Sequence, residues 1–533
     1  MLMKHNIVKP KARHPFGEMD LTSGNLFFKL PLFALPMAIT TILQLLYSTI
    51  DLYTVAQFGG GSNSMSAVGS NTALINLVIV FFVSFSMGAN VIMANAKGAN
   101  DHARAVKCLH TSMILSLLSG IFIGVIGYFI SPYLLRMMAT PEDILFKATE
   151  YLQVYFFGLP FLMIYNYGSQ ILRALGDSKT PLYILILTGI ANVGFDLFFV
   201  IGLQGDVLGV AWATVLSEAV SALLVVLWLF INKKGYVSLS FKDMKIDKVS
   251  LYSILKIGFP SGVQGLGYYI PGVLIQASLY SLTSEVIQGV SLNVNEVVAG
   301  NAASSTIEGY VYAFVEAFAT AATSFASQNY GANKKENIKK IFWYSLIWSE
   351  IACLICSIII YFASDPLLGI FITKSPGVNT TSAILAGRLR LYIIIFLYFL
   401  DAIMDVSSFY LRGIGHSTSP SVVTILCCVG IRLFFIYVLF PIEFFHNLSW
   451  LLFVYPISWF VASCILIPMV MIIANKEIQK LKENEEKLMS SISWIWLFRN
   501  IGYTLSQFNK LVIDIEIELM AKVLCRGIRL SRF

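Results

Sequence analysis

Asp51, Asn192, Asp196 and Thr214 carry oxygen donors inside stretches of chain that are otherwise strongly apolar. A carboxylate in the middle of a membrane span costs roughly 2.5–3.5 kcal/mol on insertion scales, so such a residue normally faces a cavity or a partner. Asn192 and Asp196 are four residues apart, which on a helix sets an amide oxygen and a carboxylate on one face. Joined by Asp51 and Thr214, they would supply two carboxylates, an amide and a hydroxyl. These are hard oxygen ligands of the kind sodium takes, by analogy with other hard cations. Two carboxylates in one dry pocket also repel each other, and binding a proton is the other way to relieve that repulsion. Interhelical hydrogen bonding is the plain alternative for Asn192 and Thr214. Glu218 is the third interior acidic candidate of this half.

The second half of the chain offers a different set: Glu308, Asp401, Asp405 and Arg432. Gly194-Phe195-Asp196-Leu197-Phe198-Phe199 aligns with Gly430-Ile431-Arg432-Leu433-Phe434-Phe435, which sets a cation where the first half has Asp196. A duplicated cation site is therefore not expected. Arg432 is expected to form a fixed ion pair with Glu308 or Asp401. Reception of a cationic substrate or of protons by Glu308, Asp401 or Asp405 is the competing reading. Tyr47, Tyr165, Tyr268, Tyr269, Tyr310 and Tyr398 are candidate cavity aromatics, since the face of a Tyr ring attracts organic cations.

The elements that must position these residues follow from composition. Of 533 residues, 57% are hydrophobic and 13% charged, with a mean hydropathy of +0.74, which excludes an ordinary soluble enzyme or nucleic-acid binder. Leu109 to Leu135 contains no Asp, Glu, Lys or Arg and is longer than the ~20 residues one crossing needs. Twelve spans are predicted, beginning near residues 30, 68, 108, 149, 181, 207, 252, 300, 341, 389, 420 and 450. The polar, basic residues 1–29 do not read as a cleavable signal. With the N-terminus cytoplasmic, most of the 37 Lys and Arg fall inside, and only Arg136, Lys147, Lys374, Arg388 and Arg390 fall in outside loops.

The chain also repeats. Leu172-Arg173-Ala174-Leu175-Gly176 matches Leu411-Arg412-Gly413-Ile414-Gly415, and Lys97-Gly98-Ala99-Asn100 matches Tyr330-Gly331-Ala332-Asn333. The expected fold is an all-α integral membrane protein with twelve transmembrane helices in two parallel-repeat six-helix bundles. Its parts are a cytoplasmic N-terminal segment (1–29), a first bundle (30–231), a cytoplasmic linker (232–250), a second bundle (251–474) and a cytoplasmic tail (475–533). In the tail, apolar residues from Ile501 to Val523 recur at helical spacing and suit an amphipathic helix. At ~1.5 Å per residue, Asp51 and Asp196 each lie ~22 Å along their spans and Thr214 lies ~10 Å below the outer face, so the three share one depth.

Several runs resemble the bacterial branch of the multidrug and toxic compound extrusion family: Leu45-Leu46-Tyr47-Ser48-Thr49-Ile50-Asp51, Asn95-Ala96-Lys97-Gly98-Ala99, Ile171 to Asp177, Ile307-Glu308-Gly309, Gln328 to Ala332, Ile403-Met404-Asp405-Val406 and Tyr455-Pro456-Ile457-Ser458-Trp459. The resemblance implies export of organic, often cationic, compounds by antiport against sodium ions or protons. It implies the same four positions, Asp51, Asn192, Asp196 and Thr214, as the coupling set. In another branch a tenth-span Asp that resembles Asp401 is implicated in coupling, but Gln264 stands near where its acidic companion would be. No phosphate-binding loop, zinc-protease or nucleophile-elbow motif is present, so neither an enzyme nor an ATP-driven pump is expected.

The reading is a monomeric, multi-pass exporter of the plasma (inner) membrane, with both termini cytoplasmic. It would use small organic molecules as substrates, membrane lipids as surroundings, no nucleic acid, and no cofactor beyond the coupling ion. The alternatives are a flippase for a lipid-linked precursor, which would carry a basic cavity, and a non-coupled channel or receptor.

Overall fold

The computed structural model describes residues 18–59, 62–138, 140–282, 285–287, 289–372 and 378–500. The first six spans are helices α1 (Leu26–Phe58), α2 (Ser62–Gly98), α3 (His102–Met137), α4 (Glu142–Ala174), α5 (Lys179–Asp196) and α6 (Asp206–Ile231). The next are α7 (Lys248–Leu279), α8 (Val294–Gly331) and α9 (Lys335–Phe371), with a short antiparallel hairpin, β1 (Glu285–Ile287) and β2 (Val290–Leu292), between α7 and α8. The tenth span is broken into α10 (Thr380–Phe396) and α11 (Tyr398–Gly413), bent by 46°. The eleventh runs through α12 (Thr418–Ile425) and α13 (Ile431–Phe434), and the twelfth opens α14 (Leu448–Asn500).

Among the described residues, eight helices are apolar enough by themselves to cross a membrane, and nine with the bent pair. α4, α7 and α8 fall below that measure although each has more than 30 residues. α8 shows why: its last two turns bury Ser324, Ser327 and Gln328 against the other bundle. Polarity that a lipid-facing helix could not carry is satisfied here by protein.

The repeat is written in the backbone. Asn100 and Asn333 end α2 and α8 with φ of 54° and 58°, and Gly176 and Gly415 follow α4 and α11 with φ of 84° and 93°. Each end is closed by the same long return bond: Asp101 N–H to Ala96 O, Lys334 N–H to Asn329 O, Asp177 N–H to Leu172 O and His416 N–H to Leu411 O, all 2.8–2.9 Å. Left-handed helix ends of this type favour Gly and Asn, because other side chains meet the backbone there. The matched sequence runs are thus matched helix stops.

The two bundles are not cleanly partitioned. Leu26, Leu30, Phe33 and Met37 of α1 pack into the core of the second bundle, with Phe33 edge-on to Phe325 at 5.6 Å. Ile254 and Ile257 of α7 pack reciprocally into the core of the first. The face carrying the 232–247 linker is closed by this exchange and by direct bonds between α2 and α8: Ser327 Oγ to Val91 O at 2.7 Å and Ser324 Oγ to Asn90 Oδ1 at 3.1 Å. Two glycines make that approach possible. A Cβ on Gly98 would run into the Gln328 carbonyl oxygen, and one on Gly331 into the Asn95 carbonyl oxygen.

Residues 18–24 lie across this closure. Glu18 binds Lys97 at 2.6 Å and accepts from Tyr236 N–H at 3.1 Å, and Met19 N–H donates to Gly176 O. Asn329 of the second bundle donates to Leu21 O at 2.8 Å, so the segment joins both halves. The linker is seated by Asp247, which caps α7 through the N–H and hydroxyl of Ser250. Burial alone would raise the Asp247 carboxyl, but those bonds and Lys107 hold it below its ordinary value. Of the tail, 475–500 continue α14, and the stripe from Ile501 to Val523 lies outside the described residues.

Gly98→Val is expected to force α2 from α8, at an overpacking cost of roughly 1–3 kcal/mol. A cysteine replacing the fully buried Ser327 should then react with a maleimide about tenfold faster than in the Gly98 background. Equal rates would contradict the assignment of Gly98 to the closure.

Candidate functional site

Asp196 is the last residue of α5, and the helix widens immediately after it into a π turn, Leu197–Gly202. Such widened turns change which way successive side chains point and are common at functional positions. Asn192, one turn back, is 5% exposed and Asp196 is completely buried. Asp51 comes from α1 and Thr214 from α6, whose hydroxyl reaches Asp51 Oδ2 at 3.2 Å and Val210 O at 3.0 Å. Asp51 and Asp196 are near enough to share a hydrogen bond when one of them is protonated. Three helices therefore bring together Asp51, Asp196 and Thr214, the three residues that the sequence puts at one depth, with Asn192 one turn from Asp196.

The unusual feature of this cluster is what it lacks. Asp51 Oδ1, Asn192 Oδ1 and both carboxylate oxygens of Asp196 are shut off from solvent and have no hydrogen-bond partner. Buried polar oxygens are nearly always paired, and each unpaired one carries a penalty of ~1–3 kcal/mol, more when charged. Four such oxygens in one place form a donor set made entirely of oxygen, which fits a sodium ion or a proton. Glu218 sits nearby on α6, its Oε2 also buried and unpaired, against Gly158 of α4 and within the electrostatic reach of Asp51.

The second half is arranged differently, and it corrects the expected ion pair. Glu308 is bound not by Arg432 but by Arg390, bidentately, with Nε to Oε1 and Nη2 to Oε2 both at 2.7 Å. Arg390 also donates to Asn301 Oδ1 at 2.7 Å. It lies buried on α10 rather than in an outside loop. Arg432 donates to Ser458 Oγ at 3.1 Å and stacks over the Tyr455 ring at 4.4 Å. Asp401 feels the charge of Arg432, but among the described residues Arg432 has no ion pair with it. Asp405 accepts from Tyr268 at 3.0 Å and from Tyr312 at 3.0 Å, one phenol on each oxygen.

The aromatic candidates divide. Tyr268 points at Asp405, whereas Tyr47 donates to Leu185 O at 3.2 Å, Tyr165 donates to Pro181 O at 3.2 Å, and Tyr398 packs edge-on to Trp459. Tyr310 tilts against Phe371, and Tyr269 is half-buried.

Against known proteins, the family model MatE matches residues 36–198 and again residues 272–438, one match in each half. The chain belongs to the MatE family. Bacillus subtilis (strain 168) has a relative named as a probable multidrug resistance protein, YoeA, 25% identical over 79% of this chain and 88% of its own length. A Thermotoga maritima relative, named as a probable multidrug resistance protein, NorM, is 27% identical over 75% of this chain and 82% of its own. In fold, this MatE chain is similar to a solved outward-facing multidrug resistance MATE transporter, with a TM-score of 0.74, 23% identity, and coverage of 86% of this chain and 97% of the other.

Two residues of the MatE chain were missed in sequence. Tyr312 gave no signal, because an aromatic in an apolar run reads as packing. Glu316 of α8, beside Thr41 of α1 and Arg173 of α4, spans the two halves. It was detectable as an acidic residue two turns beyond Glu308.

Removing one partner of a buried pair leaves an uncompensated charge and costs roughly 3–5 kcal/mol. Arg390→Met should therefore lower the melting temperature sharply, and Glu308→Leu combined with Arg390→Met should recover most of the loss. A single variant as stable as the double would contradict the pairing.

Proposed function

We propose that this MatE chain is a secondary active exporter in which sodium ions or protons, bound at Asp51, Asn192, Asp196 and Thr214, drive the outward movement of organic, often cationic, compounds. The observation that carries the reading is the set of unpaired buried oxygens on Asp51, Asn192 and Asp196. Without a cation the two aspartates repel each other in a dry pocket, and with one they are held together, so α1 and α5 have different preferred arrangements in the two conditions. A ligand shifts an equilibrium only by its differential affinity for the two states. Cation and substrate need not touch; each need only favour a different state of the bundles.

The linker face is taken as cytoplasmic, on the positive-inside argument, with both termini there and the protein a monomer in the plasma membrane. The closure of α2 on α8 then seals the cytoplasmic side, so this conformation is outward-facing. Alternating access consists of exchanging that seal for one on the hairpin side. Relatives named for multidrug resistance support organic substrates. In the second bundle the tie of Arg390 to Glu308 and the stacking of Arg432 on Tyr455 give those cations protein partners, which favours the exporter over a flippase with a basic cavity.

The test is transport of a fluorescent organic cation in proteoliposomes under separately imposed sodium and proton gradients. Flux driven by one gradient and abolished by Asp196→Asn is expected. Folded protein that moves no substrate under either gradient would overturn the reading.

A further inference from the structure

Where α14 continues past the membrane, it runs beside the first turns of α9 and leaves a groove of about 470 Å³ lined by Lys335, Lys339, Lys482, Glu336, Ile478 and Gln479. Lys335 is engaged by Glu485 of α14. Lys339 and Lys482 are exposed, and neither has an ion pair among the described residues. α9 begins at Lys335, after the N-cap Lys334, with Lys335, Glu336, Lys339 and Lys340 in its first two turns and no side-chain cap. Glu336 answers part of the positive end of the helix dipole, and the lysines around it leave an excess of positive charge that a bound anion relieves.

What lies next to the groove specifies the anion. One turn beyond Lys339 on the same face of α9 is Trp343, 45% exposed, followed by the exposed Ile347, Ile351, Leu354 and Ile358. Lysines, then an aromatic residue, then a continuous apolar flank follow the order of a bilayer leaflet from headgroup to acyl chains. The flank is the face that α9, as a membrane span, turns to lipid, so the lysines stand at headgroup depth, where the anion at hand is a lipid phosphate.

We propose that this groove between the start of α9 and the extension of α14 binds the phosphate headgroup of an anionic phospholipid, whose acyl chains lie along the exposed flank of α9. Lys339 and Lys482 reach the phosphate from the two sides, and the Lys335–Glu485 pair holds the walls together. The site lies on the second bundle, apart from the Asp51 cluster on the first. The proposal therefore stands whether or not that cluster couples transport.

The test is native mass spectrometry of the full-length protein, delipidated and then given phosphatidylglycerol or phosphatidylethanolamine with identical acyl chains. Wild type should retain the anionic lipid preferentially. Lys339→Ala/Lys482→Ala should weaken that retention by about twenty-five-fold, roughly fivefold for each lysine removed. A control, Lys234→Ala/Lys245→Ala in the linker, should behave as wild type, and thermal unfolding checks that both variants are folded. Equal retention of the two lipids by wild type, as occupation of the groove by the chain's own tail would give, overturns the proposal. So does a preference that survives the Lys339/Lys482 substitution. Release of phosphatidylglycerol by inorganic phosphate alone would also overturn it, because the site would then select a soluble anion.

Discussion

Asp51 and Asp196, two buried carboxylates that no basic residue neutralises among the described residues, are the constraint around which the first bundle is organised. In water Asp51 and Asp196 would each be solvated and indifferent to the other. In a low-dielectric interior their repulsion is strong, and the desolvation of each is costly. The fold keeps them because three separate helices, one widened into a π turn at the critical residue, converge there. On the proposed function, a sodium ion or proton from outside the chain supplies the compensating positive charge. Stability and shape then depend on a cation, which is the physical minimum for coupling an ion gradient to a movement.

The second bundle pairs two of its buried carboxylates internally: Glu308 with the fork of Arg390, and Asp405 with two phenols. At the position equivalent to Asp196 stands Arg432, lying over Tyr455. Two copies of one six-helix plan therefore carry different electrostatic designs, an unpaired aspartate cluster in the first and an arginine over an aromatic ring at the equivalent position in the second. The contact between them is a close backbone approach of α2 and α8 with small residues at the crossing. The first turns of α1 and α7 are exchanged between the bundles, so on the proposed alternating access those two helices must also shift.

Much of this could be read in the sequence, because it rests on local rules. The long apolar runs locate the spans, and the matched Gly-Ala-Asn and Leu-Arg-x-x-Gly runs become matched helix stops. Counting residues from Pro36 and Pro181 is enough to bring Asp51, Asp196 and Thr214 to one depth, because helices have a fixed rise. The misreadings share one cause. Arg390 follows Arg388 and sits near an apparent span start, so it looks like a loop residue. Only the extension of α10 back to Thr380, and its break at Leu397, bury it beside Glu308. Arg432 is correctly interior, but which acid it faces depends on how helices rotate about their axes, and residue spacing does not encode that. Tyr312 and Glu316 matter through contacts across helices that no pattern within either helix announces.

The proposed cation site turns on one quantity, the protonation of Asp51 and Asp196 in the absence and presence of sodium. Infrared difference spectroscopy of the reconstituted protein reads it from the carbonyl stretch of protonated carboxyls. A band that is lost on adding sodium or on raising pH, and is missing in Asp51→Asn and Asp196→Asn, is the predicted result. A wild-type spectrum indifferent to both treatments, or a band unchanged in both variants, would contradict the claim that these aspartates form the cation site.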